Sequence, residues 1–279
     1  VNYRHAFHAG NFADVLKHAA LMRILAHLAR KEAPFRAIDT HAGDGFYSLR
    51  ADAALRTGEW IEGIGRLDRP LPPAAEAMLE PYRAALAELA PLGDTYPGSP
   101  ALIRHALRMQ DRAAFNELHP DAAARLRALM ARDSRIALTA LDAYTAWKAQ
   151  LPPKERRGLV LVDPPFEQPG EFERMAAGAR IMARKWPGGT LMLWYPIKDI
   201  AATRRFEGEI IASGMPKLLV LELHVDAADA AGPLAATGLV IANPPHTLRD
   251  EMAALLPALA DRLARRDIAR WRAEWLTEP

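Results

Sequence analysis

An apolar run from Gly158 to Val162 feeds straight into Asp163, Pro164, Pro165 and Phe166. A carboxylate, two stiff prolines and an aromatic ring at the end of a strand suit methylation of a planar amine. The lone pair of an exocyclic amine on a nucleobase is delocalised into the ring, so the nitrogen is a poor nucleophile until that pair is localised. Asp163 can accept one amine hydrogen and the Pro164 carbonyl the other, which favours a tetrahedral nitrogen aimed at an electrophilic methyl group. Phe166 would stack on the base. Proline fixes its own φ and restricts the residue before it, so Asp163 and Pro164 are both stiffened. The plainer reading of the same residues is a strand followed by a Pro-rich turn, so the motif needs partners elsewhere in the chain.

Those partners must be carried by other elements. Strand-like and helix-like segments alternate, which predicts an α/β sheet wound by helices on both sides. Seven strands are expected, at 35–39, 113–117, 135–141, 158–162, 189–195, 217–225 and 236–243. Asp39, Glu117, Asp142 and Asp163 each follow or close one of the first four, and so converge on the carboxyl edge where open α/β sheets bind ligands. Glu117 is placed to grip a ribose diol and Asp142 to accept from an adenine amine, although either could simply cap a helix. The stretch DTHAGDGFY supplies Asp39, Gly43 and Gly45 at a strand-to-helix turn, where glycine lets a ligand approach the backbone. It lacks the first glycine of GxGxxG, with His41 near that position. A pyrophosphate is therefore badly served, whereas S-adenosylmethionine, which has no phosphate, does not need that geometry.

Helices are expected at 120–131 and 171–184, and from Asn11, a plausible N-cap with Asp14 three residues on, to Arg30. On this last helix Leu21, Ile24, Leu25 and Leu28 share a face. More than seventy residues separate the first two strands. Residues 48–95, rich in Pro and Ala with breakers at both ends, read as a small helical insertion into a domain formed by 1–47 and 96–279. A crossover helix is then expected to about Gln110. The C-terminal DRLARRDIARWRAEW reads as an amphipathic helix, its basic side either contacting phosphate or, the plainer reading, a solvated face.

Composition excludes several chemistries. With no cysteine among 279 residues, the chain forms no disulfides and offers no cysteine ligands for zinc or iron–sulfur clusters. It also lacks the nucleophile that methylation of a pyrimidine carbon uses, whereas direct transfer to an amine needs no covalent enzyme intermediate. No run of eighteen apolar residues occurs, and VNYRHAFHAG has no apolar signal core, so a cytoplasmic location is expected. A net charge of +2 permits a nucleic-acid partner without demanding one.

At the N-terminus Tyr3, Arg4, His5, His8, Lys17 and His18 gather around the start of the first helix, a set suited to phosphate contact and base stacking. No HExxH or acidic triad accompanies them, so no metal is expected. A rival centre, Asn243-Pro244-Pro245, could also hold a planar amine, but it is followed by His246 rather than a stacking ring and comes after the last strand of the series.

YRHAFHAGNFADVLKH, DTHAGDG, TYPGSP, NELHP and DPPF, with WYPI and NPP near the end, resemble the RlmJ family of large-subunit ribosomal RNA adenine-N6-methyltransferases, from Tyr3 to about Pro245. The resemblance implies a Rossmann-like class I methyltransferase domain with a helical insertion, using S-adenosylmethionine and acting on 23S rRNA without a metal or a membrane. By position it implies that His18, His41, Gly43, Ser99, Glu117, Asp142, Ala143 and Asp163 line the cofactor site. Asp163, with Pro164 and Phe166, would form the catalytic centre, and Tyr3, His5 and Lys17 would lie over the target adenine and its backbone. Two positions depart from the family pattern. Phe166 stands where Tyr is usual, keeping a stacking ring without the hydroxyl, and Ala143 stands where Gly is common. DPPF is also similar to guanine-amine methyltransferases of ribosomal RNA, so the motif alone leaves the base open and the whole-chain resemblance implies adenine. DNA or a protein Gln amide offers a comparable nitrogen, and a catalytically silent RNA-binding protein could keep the same fold.

Overall fold

The run from Gly158 to Val162 has no polar alternation, and this is the pattern of a strand covered on both faces. In the computed structural model, which describes residues 4–227, 232–266 and 270–278, it is the fourth parallel strand of a central sheet. The strands are β1 (Phe35–Asp39), β4 (Arg112–Asn116), β5 (Ile136–Thr139), β6 (Arg157–Val162), β7 (Thr190–Pro196), β8 (Leu218–His224), β9 (Ala236–Ala242) and β10 (Arg270–Trp275). They lie in the order β10-β8-β9-β7-β6-β1-β4-β5. A separate two-stranded ladder joins β2 (Phe46–Ser48) to β3 (Thr95–Pro97).

All seven expected strands are present within two residues of their expected ends, and an eighth is added. Arg270–Trp275 pairs antiparallel with β8 where an amphipathic helix was expected, because the helix α10 (Leu248–Leu263) already ends at Ala264. Within RWRAEW the residues alternate: Ala273 is buried, while Arg272 reaches Glu207 and Glu222 on the other face. An arginine-rich composition had concealed a period of two.

Strand alternation divides the interior into two layers. Phe35, Ala37, Leu159, Leu161 and Met192 face α1 (Phe12–Ala29), α5 (Ser99–Ala106), α6 (Pro120–Met130) and α10, whereas Ile38, Val160, Val162, Leu191 and Leu193 face α7 (Ala143–Ala149), α8 (Glu171–Lys185) and α9 (Ile200–Ile211). Between β2 and β3 the chain forms only helical turns, α2 (Asp52–Thr57), α3 (Glu59–Glu62), a 3-10 turn and α4 (Pro73–Leu89), the last packing on α1 and α10. The crossover α5 stops at Ala106, four residues short of expectation, with Leu107 already extended.

The chain leaves β1 toward β4 and β5 on one side, and from β6 toward β7 on the other. This reversal opens a crevice beyond the carboxyl ends of β1 and β6, the general ligand position in such sheets. β9 runs antiparallel, so its end lies at the opposite edge of the sheet. The rival Asn243 is therefore remote from Asp163. Its side chain bonds the Gly188 carbonyl and its N–H the Pro216 carbonyl, both preceding strands that run toward the crevice.

Candidate active site

α1 is apolar almost all round and buried through its first half, as befits a helix wedged between the sheet and α4. Three polar residues in that half, Asp14, Lys17 and His18, are buried with it, at a cost that needs partners to offset it. Asn11 caps the helix, accepting from the N–H groups of Ala13 and Asp14 at 3.0 Å. Asp14 is not the reciprocal half of a capping box. Its carboxylate accepts from Gly10 N–H and His5 Nε2, both at 2.9 Å, and pairs with Lys17 Nζ at 2.7 Å. Burial opposes its charge, but His5 and Lys17 hold its carboxyl well below the usual range.

Lys17 Nζ also lies 2.5 Å from Asp163 Oδ2. Burial disfavours the ammonium, yet Asp14 and Asp163 together hold its pKa above the ordinary lysine value. The side chain is only 4% exposed, so its charge faces the Asp163 carboxylate rather than solvent.

Asp163 stands at one wall of a cavity of about 420 Å³, a size typical of small-molecule sites. The loop after β1 contributes Thr40, His41 and Gly43, the end of β4 contributes Asn116 and Glu117, and the start of α7 contributes Asp142 and Ala143. His5, Lys17, His18, Ser99, Pro164 and Pro165 close it. Eleven sequence-selected positions thus meet in one space. Tyr3 lies outside the described residues. Phe166 is not part of the cavity lining: its ring packs edge-on to Phe172 and Trp194, with centroids 5.1 and 5.9 Å away, and its φ is +52°.

Gly43 has φ +67°, and a Cβ there would fall 2.1 Å from the Tyr47 hydroxyl. Its N–H donates to Glu117 Oε2 at 2.8 Å, while His119 N–H donates to Oε1 at 2.7 Å, which orients that carboxylate across the end of β4. Asp142 caps α7 through Thr145 N–H and remains exposed at the cavity rim. The helix-capping role weighed for Asp142 and its place on the cavity are thus compatible. His41 is held neutral, its pKa pushed down to about 4 by burial.

Several site residues were not singled out in the sequence. Asn116 ties three strand ends together, donating to Thr40 O and Leu141 O and accepting from Thr139 Oγ1 and Leu141 N–H. Tyr144 lies on the cavity beside Ala143, its ring edge-on to His41 and its hydroxyl bonded to the buried Glu171 at the start of α8. A strand-interior Asn and a tyrosine one residue beyond a strand-end acid were the available signals. Among the described residues no group of three or more acidic or histidine side chains is arranged to hold a metal ion.

Asp39 is fully buried, accepting from Ser99 Oγ at 2.6 Å and from His41 N–H at 3.2 Å. Burial pushes its pKa up to about 7, against those hydrogen bonds. In the unfolded chain the group ionises near 3.8, so the folded state retains a proton that the unfolded state loses. The stability it contributes is complete below that value and is lost as pH rises through about 7. Asp39→Asn is therefore expected to gain on the wild type in thermal melts as the pH is raised from about 5 to about 8. A constant difference between the two proteins across that window would refute the assignment.

A family model described as Ribosomal RNA large subunit methyltransferase D, RlmJ matches residues 32–277. The chain belongs to this family. Two RlmJ relatives named Ribosomal RNA large subunit methyltransferase J, from Haemophilus influenzae and Escherichia coli, are 38% and 37% identical to it, each alignment covering 99% of both chains. A crystal structure of a Legionella pneumophila protein superposes with a TM-score of 0.86 at 30% identity, covering 96% of this chain and 98% of that one. The RlmJ match thus includes both the sheet and the helices between β2 and β3. No helix among the described residues is long and apolar enough to cross a membrane.

Proposed function

We propose that this protein transfers a methyl group from S-adenosylmethionine to the N6 amine of one adenine in 23S ribosomal RNA. Full-length membership of the RlmJ family carries this reading. The cavity's own chemistry suits the cofactor: strand-end carboxylates for a nucleoside, no phosphate-binding loop, and a buried imidazole nitrogen, His18 Nε2, with no partner among the described residues. When bound, S-adenosylmethionine supplies an electrophilic methyl on a sulfonium.

The chain's residues do the positioning. Asp142 and the Ala143 backbone would hold the adenine end of the cofactor, Glu117 its ribose, and His18, His41, Gly43 and Ser99 the remainder of that wall. Lys17 engages Oδ2 of Asp163 and so leaves Oδ1 for one hydrogen of the target amine, with the Pro164 carbonyl accepting the other. His5 and Tyr3 would lie over the base, and Phe166, whose ring packs against Phe172 and Trp194 outside the cavity lining, would brace the turn that follows Asp163. Residues 48–95 are read as a helical insertion in the methyltransferase domain. An adenine inside a finished ribosome could not enter such a pocket, so the substrate is naked or partly assembled rRNA, flipped out of its stack in the cytoplasm.

The test is incubation of the protein and labelled S-adenosylmethionine with deproteinised large-subunit rRNA from a strain lacking the enzyme, followed by nuclease digestion and mass spectrometry. One methyl per molecule on adenine N6 is expected. A methyl on guanine N2, or transfer only to DNA or protein, would overturn the reading.

A further inference from the structure

His18 is joined to the helices between β2 and β3 by a chain of two phenols. Its Nδ1 lies 2.7 Å from the Tyr96 hydroxyl, which lies 2.7 Å from the Tyr82 hydroxyl of α4, and the imidazole stacks on the Tyr96 ring at 5.6 Å. All three side chains are essentially inaccessible to solvent. Burial holds both phenols protonated and drives the His18 pKa down to about 3, so the imidazole is neutral and carries one hydrogen.

Hydrogen bookkeeping then fixes where that hydrogen sits. Among the described residues Tyr96 is the only partner of the Tyr82 hydroxyl, so the Tyr82 hydrogen is satisfied only by donation to Tyr96. The single Tyr96 hydrogen is left for His18 Nδ1, which must accept. The reverse direction would strand the Tyr82 hydrogen in the core. The imidazole hydrogen is therefore on Nε2, the nitrogen without a partner among the described residues.

We propose that Tyr96 is a positioning residue for the cofactor: by donating to Nδ1 it locks His18 in the Nε2–H form, which donates to the carboxylate of the methionine moiety. This rests on the cofactor reading above. With Asp142 and Ala143 at the adenine and Glu117 at the ribose, the amino-acid end is what remains for the His18 wall. Of its two charged groups the ammonium is itself a donor and only the carboxylate accepts from an N–H.

Two measurements test this. In uniformly ¹⁵N-labelled wild-type protein without ligand, long-range proton–nitrogen spectra should give His18 a pyrrole-type Nε2 and a pyridine-type Nδ1; the opposite pattern overturns the proposal without any variant having to fold. In calorimetry, Tyr96→Phe should bind S-adenosylhomocysteine about tenfold more weakly than wild type, while 5′-methylthioadenosine, which lacks the amino-acid carboxylate, binds both proteins equally. Tyr82→Phe should keep the Nε2–H signature and the wild-type affinity, because the Tyr96 hydrogen still has His18 as its acceptor. Equal losses for the two ligands in Tyr96→Phe would mean a purely structural role and sink the idea. Wild-type protein that bound neither ligand would refute the cofactor reading and the carboxylate contact, leaving the tautomer as a separate result.

Discussion

Asp163→Asn is expected to lower methyl transfer by about a hundred- to a thousand-fold, the loss seen when a preorganised charge-stabilising group is removed, while leaving the melting temperature within a few degrees of wild type. The amide has the same shape, so the turn into Pro164 and Pro165 persists. What changes is the atom facing the amine. A carboxylate accepts at every position, whereas half of an amide donates, and a donor facing an N–H pushes the nitrogen away from the geometry in which its lone pair is free. Stability is spared because Lys17 keeps Asp14 at 2.7 Å, so its buried ammonium is not left unpaired. Asp163 is also the more accessible partner, at 15% side-chain exposure. Single-turnover transfer to an rRNA transcript, read beside thermal melts, separates the two effects. A variant that transferred methyl groups at a near-normal rate would remove Asp163 from the chemistry.

Much of this site is legible in the chain because its key residues sit where regular elements stop. A buried parallel strand announces itself as an unbroken apolar run, and a carboxylate at its end needs only the two prolines to mark the stop. Glu117 and Asp142 are legible for the same reason. Lys17 and His18 are harder. By residue type they read as part of an N-terminal cluster suited to phosphate contact and base stacking, and only the burial of α1 on nearly all sides shows them turned inward. Tyr82 and Tyr96 are harder still: one lies on an amphipathic helix where an aromatic residue is ordinary, and the other in a three-residue strand too short to show a period. Their meaning is a matter of hydrogen direction, which appears only when three distant segments meet. Phe166 illustrates the opposite problem, since a residue type chosen for stacking on a base packs edge-on against its neighbours instead.

Gly158 is the first residue of the opening run, and the sequence alone gives no reason for a glycine there. Gly158→Ala is expected to destabilise the protein by more than about 4 kcal/mol, enough to leave little soluble folded material. Gly158 is paired with Arg36 across the β1–β6 ladder, and an added Cβ would fall 1.9 Å from the Arg36 carbonyl oxygen. The obstacle is backbone rather than a movable side chain. Relief therefore requires separating the two strands whose divergence creates the crevice, taking Asp39 and Asp163 with them. The matched control is Gly208→Ala, in the exposed part of α9 with nothing within 4 Å of its added Cβ. That change should stabilise by up to about 1 kcal/mol, because alanine loses less backbone entropy on entering a helix. Denaturant melts of both variants check the pair. If Gly158→Ala melted with the wild type, β1 and β6 would have to be able to move apart freely, and the rigid strand end on which the placement of Asp163 depends would be lost as an explanation.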